Sequence, residues 1–280
     1  MDPFTRYLAE LDRARPTRPT RPDIRRGPEN LVVVRRVAST NQLARSIVAD
    51  YESEAQDLHP LLILALEQSG GRGRHGRSWT SPAGRGVYAT RVLSMRDPEL
   101  LQGLPMLVGL ALCRALSRHL PVPCRLKWPN DLVVDTTAGR KKIGGILIEA
   151  LVHPGEGAAA IIGFGVNHSN EEDDLQTLPE TATSVRRLGG PGAEVSLADL
   201  TWDLVTGLER ELTHLEDLSQ VVESYRELSV HRPGDVISCR IGEQVVEGTF
   251  LGFDERGRLR LERGGEGGEE ILVASGEVIE

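Results

Sequence analysis

Five cations are set apart by their neighbours. Arg72, Arg74 and Arg77 alternate with glycines in Gln68-Ser69-Gly70-Gly71-Arg72-Gly73-Arg74-His75-Gly76-Arg77-Ser78-Trp79. Lys127 lies in Arg125-Leu126-Lys127-Trp128-Pro129-Asn130-Asp131, and Lys142 in Lys141-Lys142-Ile143-Gly144-Gly145-Ile146. A loop with free backbone N–H groups, little bulk and three permanent charges suits an anion. Glycine lets the backbone approach a ligand closely, and arginine offers a planar fork to carboxylate or phosphate. A lysine in an otherwise apolar strand is costly unless its ammonium meets an anion or water. Together these groups suit chemistry on an oxyanion, such as phosphoryl transfer. Each also has an ordinary reading. The loop is a basic solvated surface, Lys127 snorkels from an edge strand, Asn130 and Asp131 form a turn, and Gly144-Gly145 tolerates a bulge or makes room for a ligand.

These residues need elements to hold them. The apolar run Leu61-Leu62-Ile63-Leu64-Ala65-Leu66 reads as a buried strand that feeds the glycine loop. Leu31-Val32-Val33-Val34 reads as an earlier strand. Ser39-Thr40-Asn41 comes after it and opens a helix with Leu43, Ile47 and Val48 at helical spacing. Ser39 or Thr40 there either caps the helix or faces a ligand. Strands are expected over 87–93, 125–128, 132–134, 143–152 and 159–166. The last runs into Asn167, whose amide reads a ligand or caps the turn. Leu101 to Ala115 has the pattern of an amphipathic helix with Pro105 in its first turn. Residues 168–195 read as a loop with a short helical piece. Ser196-Leu197-Ala198-Asp199 resembles a capping box that opens a helix, and a second helix runs to Leu228. Beyond Arg232-Pro233-Gly234-Asp235, four or five short strands separated by Gly- and acid-rich turns suggest a small barrel of SH3-like size. Residues 1–29, rich in Pro, Arg and Thr, are expected to be a disordered extension, with 4–14 able to form a short helix. The remaining divisions are 30–230 and 231–280.

The totals exclude several classes. A net charge of −8 argues against a general nucleic-acid binder. Cys113, Cys124 and Cys239 match no metal or disulfide spacing, and the seven histidines do not cluster with them. No metal site is expected, and the cysteines point to a reducing, cytoplasmic compartment. No apolar stretch approaches the roughly 20 residues that span a bilayer. Gly71-Arg72-Gly73-Arg74-His75-Gly76 matches G-x-G-x-x-G by letters, but a dinucleotide loop has no use for its charges.

Five stretches in series, Ser39-Thr40-Asn41, Gln68 to Trp79, Lys127 to Leu132 (KWPNDL), Lys142 to Glu149 (KIGGILIE) and Gly163 to Asn167 (GFGVN), resemble the biotin protein ligase family. The motifs cover residues 31 to about 230, and the C-terminal strands resemble the family's C-terminal domain. The resemblance implies an α+β fold, a mixed β-sheet flanked by helices and shared with lipoate ligases, plus an SH3-like barrel. It implies ATP-dependent activation of biotin as biotinyl-5′-AMP with Mg²⁺. Transfer then proceeds to a lysine of a biotin carboxyl carrier protein domain of an acyl-CoA carboxylase such as acetyl-CoA carboxylase.

By match to the motifs, Arg72, Lys127 and Arg74 would be catalytic. Ser39, Thr40, Asn41, Gln68, Gly71, Gly73, Gly144 and Gly145 would join them in binding biotin. Arg74, Arg77, Trp79, Asn130, Lys142 and Asn167 would lie toward ATP, with Trp79 equally suited to anchor the core. The chain resembles the monofunctional class, which lacks an N-terminal DNA-binding domain and does not repress transcription, so neither a DNA nor a membrane partner is expected. The glycine loop is expected to be loose and to close over its ligands. Competing expectations are a lipoate or octanoate ligase on the same fold, an acyltransferase using a cysteine, and a nucleic-acid-binding module.

Overall fold

Alternation along one strand shows how the main sheet is covered. In β2 (Leu61–Gln68), Leu61 and Ile63 pack with Ala44 and Val48 of helix α2 (Thr40–Ser53), while Leu62 and Leu64 join the larger core on the other side. Successive strand side chains point to opposite faces, so a continuous apolar run marks a strand buried on both. The computed structural model describes residues 1–16, 30–54, 56–153, 157–169, 181–265 and 267–279.

The main sheet contains β1 (Asn30–Val37), β2, β3 (Gly86–Met95), β4 (Cys124–Lys127), β5 (Asp131–Thr136), β6 (Gly139–His153) and β7 (Gly157–Asn167). Their spatial order is β1-β2-β3-β7-β6-β5-β4; β1 and β2 are parallel and all other neighbours antiparallel. This is the mixed sheet of the α+β expectation. Helix α3 (Leu104–Ser117) lies on the face opposite α2, with Pro105 in its first turn. It is buried nearly all round rather than amphipathic, because α5 (Leu197–Leu212) covers its outer side. Between them in sequence is the one-turn α4 (Val185–Leu188), and α6 (Leu218–Leu228) comes after α5. Ser196 caps α5 through a bond from Asp199 N at 3.0 Å, as its motif requires.

The N-terminal expectation needs correction for part of its length. Residues 3–14 form helix α1 (Pro3–Ala14), which buries Tyr7 and Leu11. Trp202 Nε1 donates to Leu11 O at 2.8 Å. Two apolar side chains one turn apart give this segment a docking stripe that its Pro/Arg-rich continuation lacks. Residues 17–29 of the expected disordered extension lie outside the described residues.

The C-terminal unit is a five-stranded antiparallel sheet of β8 (Val236–Ile241), β9 (Gln244–Phe253), β10 (Leu259–Arg263), β11 (Glu269–Val273) and β12 (Glu277–Ile279). It matches the small all-β unit expected. Four or five short strands were expected, and the fifth, β12, is three residues long. The unit packs against the rest of the chain through Phe253, edge-on to Tyr225 of α6 at 5.3 Å, and through Gly257, whose carbonyl oxygen accepts from Trp128 Nε1 beside β4 at 3.2 Å.

The glycine loop is a hairpin tied at both base and tip. Ser69 N and Gly70 N donate to Val37 O and Ala38 O at 2.9 and 2.8 Å, and Trp79 N donates to Gly71 O at 2.9 Å. At the tip, Gly73 N donates to Arg77 O at 2.7 Å, and His75 has a positive φ of 55°. The tip also reaches the small sheet. Arg74 Nη1 donates to Gly276 O at 2.9 Å, and the Arg77 guanidinium makes a two-pronged pair with the Glu277 carboxylate.

This architecture makes two pairings testable. Arg91 on β3 is fully buried and its Nε donates to Glu209 of α5 at 2.6 Å. Breaking a buried pair leaves a charge unmatched at a cost of about 3–5 kcal/mol. Glu209→Ala should lose that much stability in urea unfolding, whereas Arg91→Met/Glu209→Leu should be at least as stable as the parent.

The second pairing is at the loop tip. Arg77 holds the Glu277 carboxyl below its ordinary value of 4.5. A depressed carboxylate contributes stability above its unfolded pKa and loses it as pH falls through the folded one. Amide-exchange protection at Gly73 and Arg77 should therefore drop about two- to fivefold in Glu277→Gln at neutral pH, the scale of an exposed ion pair. In the parent it should fall only below the ordinary glutamate range.

Candidate active site

The loop, the β4–β5 turn and the ends of β6 and β7 surround a cavity of about 350 Å³. All five cations singled out in the sequence line it. They come from three separate segments. Arg72, Arg74 and Arg77 stand on the hairpin, Lys127 ends β4, and Lys142 lies near the start of β6. Arg72 is exposed, while burial draws Arg74 below its ordinary pKa, opposed by the nearby charges of Asp131 and Glu277. Arginine remains charged regardless.

One end of the cavity is polar and neutral. Gln68 Oε1 accepts from Thr40 N at 2.8 Å and from Thr40 Oγ1 at 3.2 Å, while Gln68 Nε2 donates to Ser81 Oγ at 2.9 Å. This network fixes both the Gln68 amide and the first turn of α2. Ser39 occupies the N-cap position yet makes no capping bond with its side chain, and it lines the cavity. Of the two roles open in the sequence, the structure therefore leaves Ser39 facing the cavity. Asn41 also lines it, but both of its amide hydrogens go to β6, to Leu147 O and Glu149 Oε2.

Trp79 occupies a seat made by missing side chains. Gly145 and Gly165 are cross-strand partners on β6 and β7. A Cβ on Gly165 would stand 2.6 Å from Trp79 Nε1, and one on Gly145 would stand 3.4 Å from Trp79 Cζ3. The indole lies on this bare patch and its buried N–H has no partner among the described residues. Lys142 Nζ sits 5.5 Å from the ring centroid and 2.5 Å from Asp131 Oδ1.

Lys142 reaches that side of the sheet because of a bulge. The β5–β6 register shifts between Leu132 and Val133, opposite Lys142 to Gly144. Strict alternation would place Lys142 and Gly145, three apart, on opposite faces. The extra residue brings them to the same one. Ile143 stays in the core, fully buried.

Two residues assigned to the biotin slot by resemblance do not line the cavity. Gly144 faces the core, where a Cβ would be 2.8 Å from Leu132 Cδ1. Gly71 is enclosed by the returning limb of its own hairpin, where a Cβ would overlap Trp79 O. Both support the wall from behind, while Gly73 and Gly145 remain on it. Asn130 and Asn167 line the cavity, each with one side-chain amide N–H donating to a backbone carbonyl, Ile146 O at 2.8 Å and Thr183 O at 3.0 Å. They brace the turn and the strand end.

The sequence reading missed two acids as site residues. Asp131 looked like a turn residue, and Glu277 belongs to the unnamed last strand; both line the cavity beside a cation. The cysteine alternative fails on position. All three thiols are buried and none lines the cavity. The Cys124 thiol is pushed up by its hydrogen bond with Cys113 and by burial. Among the described residues, no helix is long and apolar enough to cross a membrane.

Comparison with known proteins agrees with this geometry. The Biotin/lipoate A/B protein ligase family matches residues 33–167. The biotin–[acetyl-CoA-carboxylase] ligase of Paracoccus denitrificans is 31% identical over 218 residues, covering 76% of this chain and 88% of that protein. The bifunctional ligase/repressor BirA of Salmonella typhimurium is 30% identical over 246 residues, covering 84% and 70%. The Aquifex aeolicus biotin protein ligase, solved with biotin and ATP, superposes with a TM-score of 0.67 over 90% of this chain and 98% of that one, at 24% identity. With two curated ligases at 30% identity or more over most of their lengths, and the same fold, this chain belongs to the biotin protein ligase family.

Proposed function

We propose that this ligase activates biotin with ATP to biotinyl-5′-AMP, releasing pyrophosphate, and then passes the biotinyl group to a lysine of a biotin carboxyl carrier domain. The observation that carries the reading is the meeting of the arginine hairpin and Lys127 on a cavity whose neutral end is formed by Ser39, Thr40 and Gln68. A ureido ring is a neutral group that both donates and accepts hydrogen bonds, and such an end suits it. The acid's carboxylate then lies toward the cations. Relatives named biotin–[acetyl-CoA-carboxylase] ligase support a carboxylase carrier domain as acceptor.

In the first step, a biotin carboxylate oxygen attacks the α-phosphorus of ATP and the bond to pyrophosphate breaks. Two anions must be brought together, so fixed positive charge lowers the barrier through positioning and electrostatics. Arg72 and Lys127 would bridge carboxylate and phosphate, and Arg74 would close over them. Trp79 with Lys142 offers a flat, cationic platform on the nucleotide side. In the second step, the acceptor amine attacks the acyl carbon of the anhydride, AMP leaves, and the amine gives up a proton. Lys127 polarises the acyl oxygen.

Magnesium is proposed as a companion of ATP. Among the described residues, no group of three His, Cys, Asp or Glu side chains gathers to hold an ion. Asp131 and Glu277 are the carboxylates on the cavity wall, and both are paired with cations. That donor set fits an ion carried largely by phosphate oxygens, with Asp131 as its protein ligand, since magnesium keeps few protein ligands at nucleotide sites. The ion would offset phosphate charge.

ATP–pyrophosphate exchange tests the reading. Biotin should drive it and lipoate should not; exchange driven by lipoate alone would overturn the assignment. Lys127→Ala should lose at least about 100-fold in exchange rate, the usual scale for removing one charge-stabilising donor. Arg74→Gly should keep adenylation but release the adenylate, seen as biotin appearing on lysines of bystander proteins, because the loop tip also loses its bond to Gly276 O.

A further inference from the structure

Asn41, assigned by sequence to the ligand, is occupied elsewhere, and the way it is held points to a residue outside the cavity wall. Gly163 on β7 is the register partner of Thr90 on β3 and of Leu147 on β6. Asn41 lies over Gly163, where any side chain would overlap its amide. The amide spans the two flanking strands. Thr90 Oγ1 donates to Asn41 Oδ1 at 2.7 Å, and Asn41 Nδ2 donates to Leu147 O at 3.1 Å. The other amide hydrogen goes to Glu149 Oε2 at 2.9 Å. The second oxygen of Glu149 accepts from Arg45 Nη2 at 2.7 Å. Asn41 and Arg45 are one turn apart on α2, so a single carboxylate from β6 grips the helix at two successive turns.

We propose that Glu149 is a positioning residue for the acid-reading end of the cavity. Through Asn41 and Arg45 it fixes the first turn of α2 on the sheet. That fixes the Ser39 hydroxyl and the Thr40–Gln68 network, which face the acid. The Asn41 side chain has no N–H left to give a ligand, so it acts as the clip and Glu149 as its lock. A carboxylate suits the place because it accepts from an amide and a guanidinium at once. This inference rests on the ligase reading, with biotin as the acid.

The test is exchange kinetics on the full chain with biotin and ATP varied separately. Glu149→Ala leaves a buried amide hydrogen unmatched, and its KM for biotin should rise about tenfold. Its kcat and its KM for ATP should stay within about twofold. Glu149→Gln keeps an acceptor toward Asn41 and should recover most of the biotin affinity. Gly163→Ala pushes Asn41 off the sheet from below and should reproduce the biotin-specific rise. An unchanged biotin KM in Glu149→Ala, or equal losses toward biotin and ATP, would overturn the proposal. Should Glu149→Ala fail to fold, Asn41→Asp decides. It sets two carboxylates face to face, and its raised biotin KM should fall again in Asn41→Asp/Glu149→Gln; no recovery in the double variant also overturns it. A parent enzyme that shows no biotin-driven exchange would instead sink the ligase reading itself.

Discussion

Like charges gathered in one cavity repel, and this site gathers five. Arg72, Arg74, Arg77, Lys127 and Lys142 line a space of about 350 Å³ in a chain whose net charge is −8. Where protein replaces water around them, their mutual repulsion is larger than in bulk water. The fold meets it with local counter-groups. Asp131 takes Lys142, Glu277 takes Arg77, and the Gly276 carbonyl takes one arm of Arg74. Anionic substrates are the natural replacement for these partners. An anion entering the cavity meets donors already oriented and needs little reorganisation, the condition under which electrostatic stabilisation is strongest.

Bringing the cations together requires backbone to come close where side chains would forbid it. Three glycines on β6 and β7 do separate jobs. Gly145 and Gly165 leave the seat for Trp79, and Gly163 leaves the seat for Asn41. Against β5, the strand β6 also carries the bulge that turns Lys142 from the core face to the cavity face. The sheet therefore acts as a shaped floor as well as a scaffold. Its bare patches admit an indole at one place and an amide at another, each lying over a cross-strand pair.

Much of this was legible in the sequence, for physical reasons that differ by element. The β2 run was plain because a strand buried on both faces must be apolar throughout, and the arginine hairpin was plain because glycine and charge together have few structural uses. Most cavity members on motif-bearing segments came with those motifs, Asp131 excepted. What escaped notice depended on tertiary pairing. Gly144 and Gly145 are adjacent and identical in letters, yet a bulge and alternation send one to the core and the other to the cavity. Asn41 reads like a ligand residue until Thr90, Leu147 and Glu149 are seen around it. Glu277 is about 200 positions from Arg77, and nothing local marks a three-residue strand as its partner. A short helix over 4–14 was legible, but its docking through Tyr7 and Leu11 was not, because the Pro/Arg-rich stretch dominates the character of the first 29 residues.

The small C-terminal sheet holds both halves of the site, but with unequal strength. Toward Lys127 its hold is Trp128, the next residue, which is 4% exposed and hydrogen-bonded to Gly257 O. Burying an indole and matching its N–H contributes several kcal/mol. Toward the arginine hairpin its hold is one backbone carbonyl and the Arg77–Glu277 pair, whose arginine is 57% exposed. An exposed pair contributes about 0.2–1 kcal/mol and is weakened by salt. Should the two units separate locally, these magnitudes release the hairpin first while Lys127 keeps its place. That order leaves one wall of the cavity able to open with the opposite wall fixed, as a site needs that must admit two substrates and later a protein lysine.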